Sequence, residues 1–271
     1  LVSFGRQLQG ELRKLGHPLT ALAVVGIATG ISLLQVSHDS TPYPGPSLVD
    51  GLGCIRIAAL QHATALGFGL AGIFAAVGTA SEAGSGALAD MLLREPRRGR
   101  VVLIKWLSIV LAMGLSLSVS TAGLWLTSII VRANDNVLPA VGRSNARDTG
   151  IDVACSLLVI PLASALALVV ALLARSIIAT VVVVAAAFYL PLSLLQARIF
   201  WATPTRWVIE WLHLDPFGEG VDYIARNSPF DRRGVPAVVA GILIVLATAG
   251  LAALSKPLLS RAVLRHTEHN V

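Results

Sequence analysis

Apolar residues in this chain come in long uninterrupted runs separated by short polar stretches. The runs lie near 18–36, 54–80, 104–131, 152–174, 177–197 and 235–254. Each reaches or approaches the roughly 20 residues that cross a hydrocarbon core of about 30 Å. They predict six transmembrane helices in one all-α, polytopic membrane domain covering 1–271. A β-barrel is not expected, because barrel strands alternate in polarity and these runs do not.

Two apolar stretches exceed the length of a single crossing. Ile151 to Ala197 holds only two charges, Asp152 and Arg175. An arginine at mid-membrane costs about 2.5–3.5 kcal/mol on the insertion scale. A tight turn at Arg175–Ser176 avoids that cost and divides the stretch into spans 4 and 5, with Pro161 and Pro191 as candidate kinks. The third run is too long for one perpendicular crossing. Trp106 and Trp125 within it are separated by about 28 Å of helix, the spacing of two aromatic belts. In span 1, Gly26-x-x-x-Gly30 allows close helix approach.

The polar stretches carry their own patterns. Over residues 3–16, Phe4, Leu8, Leu12 and Leu15 fall on one helical face, with Arg6, Glu11, Arg13 and Lys14 mostly elsewhere. This predicts an interfacial helix over 1–17, lying on the cytoplasmic leaflet; the plainer reading is a basic flank of span 1. Residues 37–53 and 132–150 read as outer loops. Residues 198–234 form an outer amphipathic segment in which Trp207, Trp211 and Leu214 share a face. Between spans 2 and 3, residues 82–100 contain a short amphipathic run followed by Arg94, Arg97, Arg98 and Arg100.

Composition agrees with the pattern: 55% of the 271 residues are hydrophobic and 13% are charged, about half the charge of a soluble domain. The formal net charge is +6. With both termini, 81–105 and Arg175 on the inside, that side holds 12 Lys/Arg against 5 Asp/Glu, and the outside 9 against 10. The excess follows the positive-inside rule, so both termini are expected to be cytoplasmic and no nucleic-acid partner is expected. No clean cleavage site follows the first apolar run, which is expected to remain as span 1. The leading Leu suggests an alternative start codon or a trimmed N-terminus. Cys54 and Cys155 both fall near the outer face. They form either a disulfide or, as the spacing favours, two independent thiols.

Catalytic signatures are missing. The three lysines precede Leu15, Trp106 and Pro257, so no Walker A motif exists, and H-E-x-x-H and G-x-S-x-G are absent as well. His266-x-x-His269 has a metal-compatible spacing without further ligands and is read as incidental. No metal, cofactor or catalytic residue is expected in the chain. His62 and Asp152 are the intramembrane polar candidates; a functional role competes with packing for His62 and with closeness to the outer end for Asp152.

At residues 81–106 the chain resembles the ABC-2 family of transporter permeases, the membrane subunits of ATP-binding-cassette exporters. The residues that carry the likeness are Glu82, Gly86, Leu88, Leu92, Leu93, Pro96, Arg97, Arg98, Arg100 and Lys105. E-L-R-K-L (Glu11 to Leu15), A-L-L-A-R-S (Ala171 to Ser176) and the amphipathic outer segment extend it over the length of the chain. Glu95 departs from the pattern, since many members are neutral or basic there.

The resemblance implies a plasma-membrane exporter subunit, bacterial in type, moving an amphiphilic or hydrophobic cargo. It implies two ATPase subunits that hold ATP and Mg, a second permease subunit and membrane lipids as partners. It makes 82–100 a coupling segment: Leu88, Met91, Leu92 and Leu93 offer an apolar wedge, and Glu82, Asp90, Arg94 and the arginines a charged rim. Gly86 and Pro96 belong to the same coupling segment. Glu11, Arg13 and Lys14 on the interfacial helix form a second contact. The competing reading of the arginines is topology and lipid phosphate contact. The competing reading of the whole is a stand-alone proton-coupled transporter or a scaffold, sensitive to His62 or Asp152.

Overall fold

The computed structural model describes residues 4–16, 26, 30, 51–94, 97–134, 146–192, 207–208, 211 and 237–269. Every regular element among them is helical. We number the helices α1 (Phe4–Leu15), α2 (Gly51–Ala63), α3 (Ala65–Ala75), α4 (Ser81–Ser85), α5 (Ala87–Arg94), α6 (Arg98–Asn134), α7 (Ala146–Ala174), α8 (Ile177–Leu192) and α9 (Ala237–His269). A π-helical stretch, Ala76–Ala80, joins α3 to α4.

Four helical segments are long and apolar enough to cross a membrane: Leu66–Ser85, Arg98–Leu126, Thr149–Ala174 and Val238–Leu259. The expected fifth span corresponds to α8, whose apolar part, Ile177–Phe188, is shorter. The expected first span, 18–36, lies outside the described residues apart from Gly26 and Gly30, as does most of 198–234.

Helices suit this composition because each satisfies its own backbone hydrogen bonds in an apolar surrounding. α6 has 37 residues, about 55 Å of helix, so it extends well beyond a hydrocarbon core. α7 ends at Ala174, α8 starts at Ile177, and Arg175 between them takes a left-handed conformation, φ 50°. Arg175 and Ser176 together form the turn between the two helices.

The expected second span is not one helix. It breaks at Thr64, whose backbone is extended (φ −115°, ψ −149°), then widens to a π-helix over Ala76–Ala80. The Ser81 N–H there bonds to the carbonyl of Ala76, five residues back. This is a correction to a continuous helix over 54–80.

The core is built from small residues and a few large ones. Phe68 on α3 meets Phe188 on α8 with ring centroids 5.1 Å apart. At Gly72 a Cβ would come within 3.2 Å of Val184 Cβ and 3.3 Å of Val181 Cα, so the missing side chain sets how closely α3 and α8 pack. Outward faces are apolar: Leu115 on α6, Ile178 on α8 and Leu246 on α9 are all exposed.

The tryptophans point inward more than their spacing suggests. Trp106 donates its indole N–H to the carbonyl of Pro161 on α7 at 3.2 Å, so it is a bundle residue rather than a belt residue; Trp125 is exposed. Trp211 donates to the carbonyl of Cys155 at 3.0 Å and lies against Gly241 of α9. Trp211 therefore sits between α7 and α9. Both cysteines are thiols, Cys54 packed with Ala58 and Leu124, and Cys155 against the main core.

Candidate functional site

Four charged side chains from three elements close into a ring. Lys105, near the start of α6, is 1% exposed. Its Nζ lies 2.6 Å from Glu82 Oε2 on α4, 3.2 Å from Glu11 Oε2 on α1 and 2.9 Å from the Gly78 carbonyl in the π-helical stretch. An ammonium has three N–H donors, and here each has an acceptor. Lys14 Nζ, one turn on from Glu11, bonds Glu11 Oε1 at 2.7 Å and also Glu82 Oε1. Each carboxylate thus gives one oxygen to each lysine, and the two positive charges balance the two negative ones.

Local sequence explains how these groups meet. On α1, Glu11 stands four residues before Leu15 and three after Leu8, inside the apolar stripe rather than opposite it. Glu11 and Leu15 are accordingly both buried. A Cβ on Gly78 would lie 3.2 Å from Leu15 Cδ2, so the bare glycine admits α1 to the bundle. The helix expected over 1–17 forms over Phe4–Leu15 and packs against α6 and the π-helical stretch. Its Phe4 ring sits 6.0 Å from the Arg100 guanidinium, and Arg13 is exposed.

Electrostatics favour the charged state of Lys14. Burial lowers the pKa of Lys14, but hydrogen bonds and charge attraction from Glu11 and Glu82 outweigh it and hold the ammonium above its ordinary value.

The ring brackets the segment expected to couple. α4 ends at Gly86, whose left-handed φ of 81° lets the chain turn into α5 without strain. On α5, Leu88 and Leu92 are buried at 1% and 5%, Met91 is half-buried and Leu93 is 70% exposed. The expected four-residue wedge is thus corrected. Leu88 and Leu92 fill this chain's own core, and Leu93 is the large apolar residue that α5 offers outward. Asp90, Arg97 and Arg98 are exposed beside it, and Arg100 is half-buried. The side chain of Arg94 and all of Pro96 lie outside the described residues. On the other flank, a Cβ on Gly84 would come within 2.9 Å of the Arg175 carbonyl, so α4 abuts the reversal between α7 and α8.

His62 is not part of this cluster. It is fully buried on α2, its Nδ1 2.8 Å from the Ala58 carbonyl and its Nε2 3.1 Å from Ser116 Oγ on α6. A carbonyl only accepts, so the proton sits on Nδ1 and the Ser116 hydroxyl donates to Nε2. Asp152 is in α7, and its side chain lies outside the described residues. Among the described residues no group of three or more His, Cys, Asp or Glu could hold a metal ion.

The sequence marks Glu11, Lys14, Glu82 and Lys105 separately and does not join them. The available signal is Glu11 within an apolar stripe, since a carboxylate there needs a cationic partner. Physically, the ring ties α1, α4 and the start of α6 into one unit at the base of α5. Neither a family model, nor a curated protein, nor a solved structure matches this chain.

Proposed function

We propose that this chain is the membrane-spanning permease subunit of an ATP-driven exporter of the ABC-2 type. α5 and its flanks, Glu82 to Arg100, form the lever on which separate ATPase subunits act. The observation that carries this reading is the closed ring of Lys105, Glu82, Glu11 and Lys14 around the base of α5. A push on α5 has little slack to absorb it: Leu88 and Leu92 are seated in the core, and both flanks are tied by charge. Leu93, Asp90, Arg97 and Arg98 form an exposed face with an apolar point and a polar rim, suited to a docking groove.

In this reading the lever and both termini are cytoplasmic, in a bacterial plasma membrane. A second permease subunit, identical or homologous, completes the path, and the two ATPase subunits bring ATP and Mg. The apolar spans suit an amphiphilic or hydrophobic cargo.

The test is co-purification from native membranes, followed by ATP hydrolysis. The wild-type chain brings down a P-loop ATPase. Arg97→Glu with Arg98→Glu loses it while keeping the wild-type melting profile. Proton-gradient-driven transport by the purified chain alone, with no ATPase present, would overturn the reading.

A further inference from the structure

We propose that residues 64–67 are a two-state switch within the membrane region, at which α2 is either broken from α3, as in this structure, or continuous with it. The switch rests on the break alone and does not need the exporter reading.

The break has no obligatory cause. The stretch Gln61-His62-Ala63-Thr64-Ala65-Leu66-Gly67-Phe68 contains no proline, and each residue can adopt helical backbone angles. What permits the broken form is the bare Cα of Gly67. A Cβ there would overlap the His62 carbonyl oxygen and lie 2.5 Å from its carbon, a distance no side chain tolerates. In a continuous helix a Cβ at position 67 points outward and meets no such barrier.

The broken form also leaves helix ends poorly served. The Thr64 hydroxyl turns back to the carbonyls of Leu60 and Gln61, at 3.1 and 3.2 Å. It closes the end of α2 and does not cap α3, which starts with no side-chain cap beside the buried Leu66. Straightening removes both termini. Opposing this is the His62–Ser116 hydrogen bond, which fastens the last turn of α2 to α6. The inner part of the same span is separately fastened to α6 through Glu82 and Lys105. α6 is thus a strut gripping the span on either side of the break. The His62 contact is a single bond between neutral groups and the ring is a charged cluster, so the His62 side is the one that releases. Release swings α2 relative to α3 and alters the packing of α2 on α6 and α7.

Spin labels at Ile55→Cys and Ile178→Cys, both exposed positions, report the swing by double electron–electron resonance in nanodiscs. Cys54 and Cys155 are replaced by alanine in that background. The wild type gives one main distance. Ser116→Ala adds a second distance population, and Gly67→Ala makes that population the major one, because alanine excludes the broken form and favours the helix. Gly69→Ala, where a Cβ meets nothing within 4 Å, keeps the wild-type distance. The proposal is overturned if Gly67→Ala folds with the wild-type distance. It is equally overturned if Gly67→Ala fails to fold while Gly69→Ala folds, since the continuous form would then be inaccessible.

Discussion

The ammonium of Lys105 lies 2.6 Å from a carboxylate oxygen of Glu82, and these two residues stand on either side of α5. The contact closes the base of the α5 excursion, so that both ends of the segment leave and re-enter the bundle at one point. Glu11 and Lys14 of α1 complete the closure from outside.

Lys105→Met leaves two carboxylates beside each other without the central cation. Losing one partner of a buried ion pair costs about 3–5 kcal/mol. The expected result is a marked drop in the apparent unfolding midpoint in detergent. Combining Lys105→Met with Glu82→Gln recovers part of the loss, which a double-mutant cycle reads directly. Equal, additive losses would mean that the two side chains do not interact.

Two leucines five residues apart on α5 are expected to behave oppositely. Leu88→Ala empties a filled core position and destabilises by about 2–5 kcal/mol. Leu93→Ala changes an exposed site and stays within about 0.5 kcal/mol of wild type. Thermal melts of the isolated chain check both, and similar midpoints for the two variants would contradict the burial pattern.

Gly84→Ala forces a methyl group against the Arg175 carbonyl. Overpacking of this kind costs about 1–3 kcal/mol. Because the atom met is backbone, relief requires moving either α4 or the turn between α7 and α8. Faster proteolysis at Arg175 in the variant is the expected readout, and unchanged cleavage would show that α4 does not buttress the turn.

The sign of the pH dependence follows from Lys14. Its folded-state pKa is raised, so its contribution is fully present below the unfolded value of about 10.4 and is lost as pH rises through the higher folded value. Unfolding midpoints in this alkaline window should fall more steeply for the wild type than for Lys14→Met. Parallel curves would mean that Lys14 contributes nothing to the ring.

Part of this architecture is legible in the chain. Long apolar runs declare a helical membrane protein, and Arg175 in an otherwise uncharged stretch marks where the chain turns back. The break at Thr64 is not legible, because no proline or polar cluster announces it. What permits it is the bare Cα of Gly67 beside the His62 carbonyl, a contact that no pattern in the sequence marks. The ring is half legible. Its residues stand out one by one, but joining Glu11 to a lysine 94 positions later needs the packing of α1 at Gly78. The apolar pattern of α5 shows that one face is buried and cannot say by what; here the chain itself covers Leu88 and Leu92 and leaves Leu93 exposed.

The central claim is that α5 is worked by an ATPase, and a photo-crosslinking amino acid at position 93 in native membranes tests it most directly. The account predicts an adduct between position 93 and a P-loop ATPase, abolished by Arg97→Glu with Arg98→Glu, and only intramolecular products from position 88. Adducts from position 93 solely to lipid, in cells where the chain is active, would contradict it.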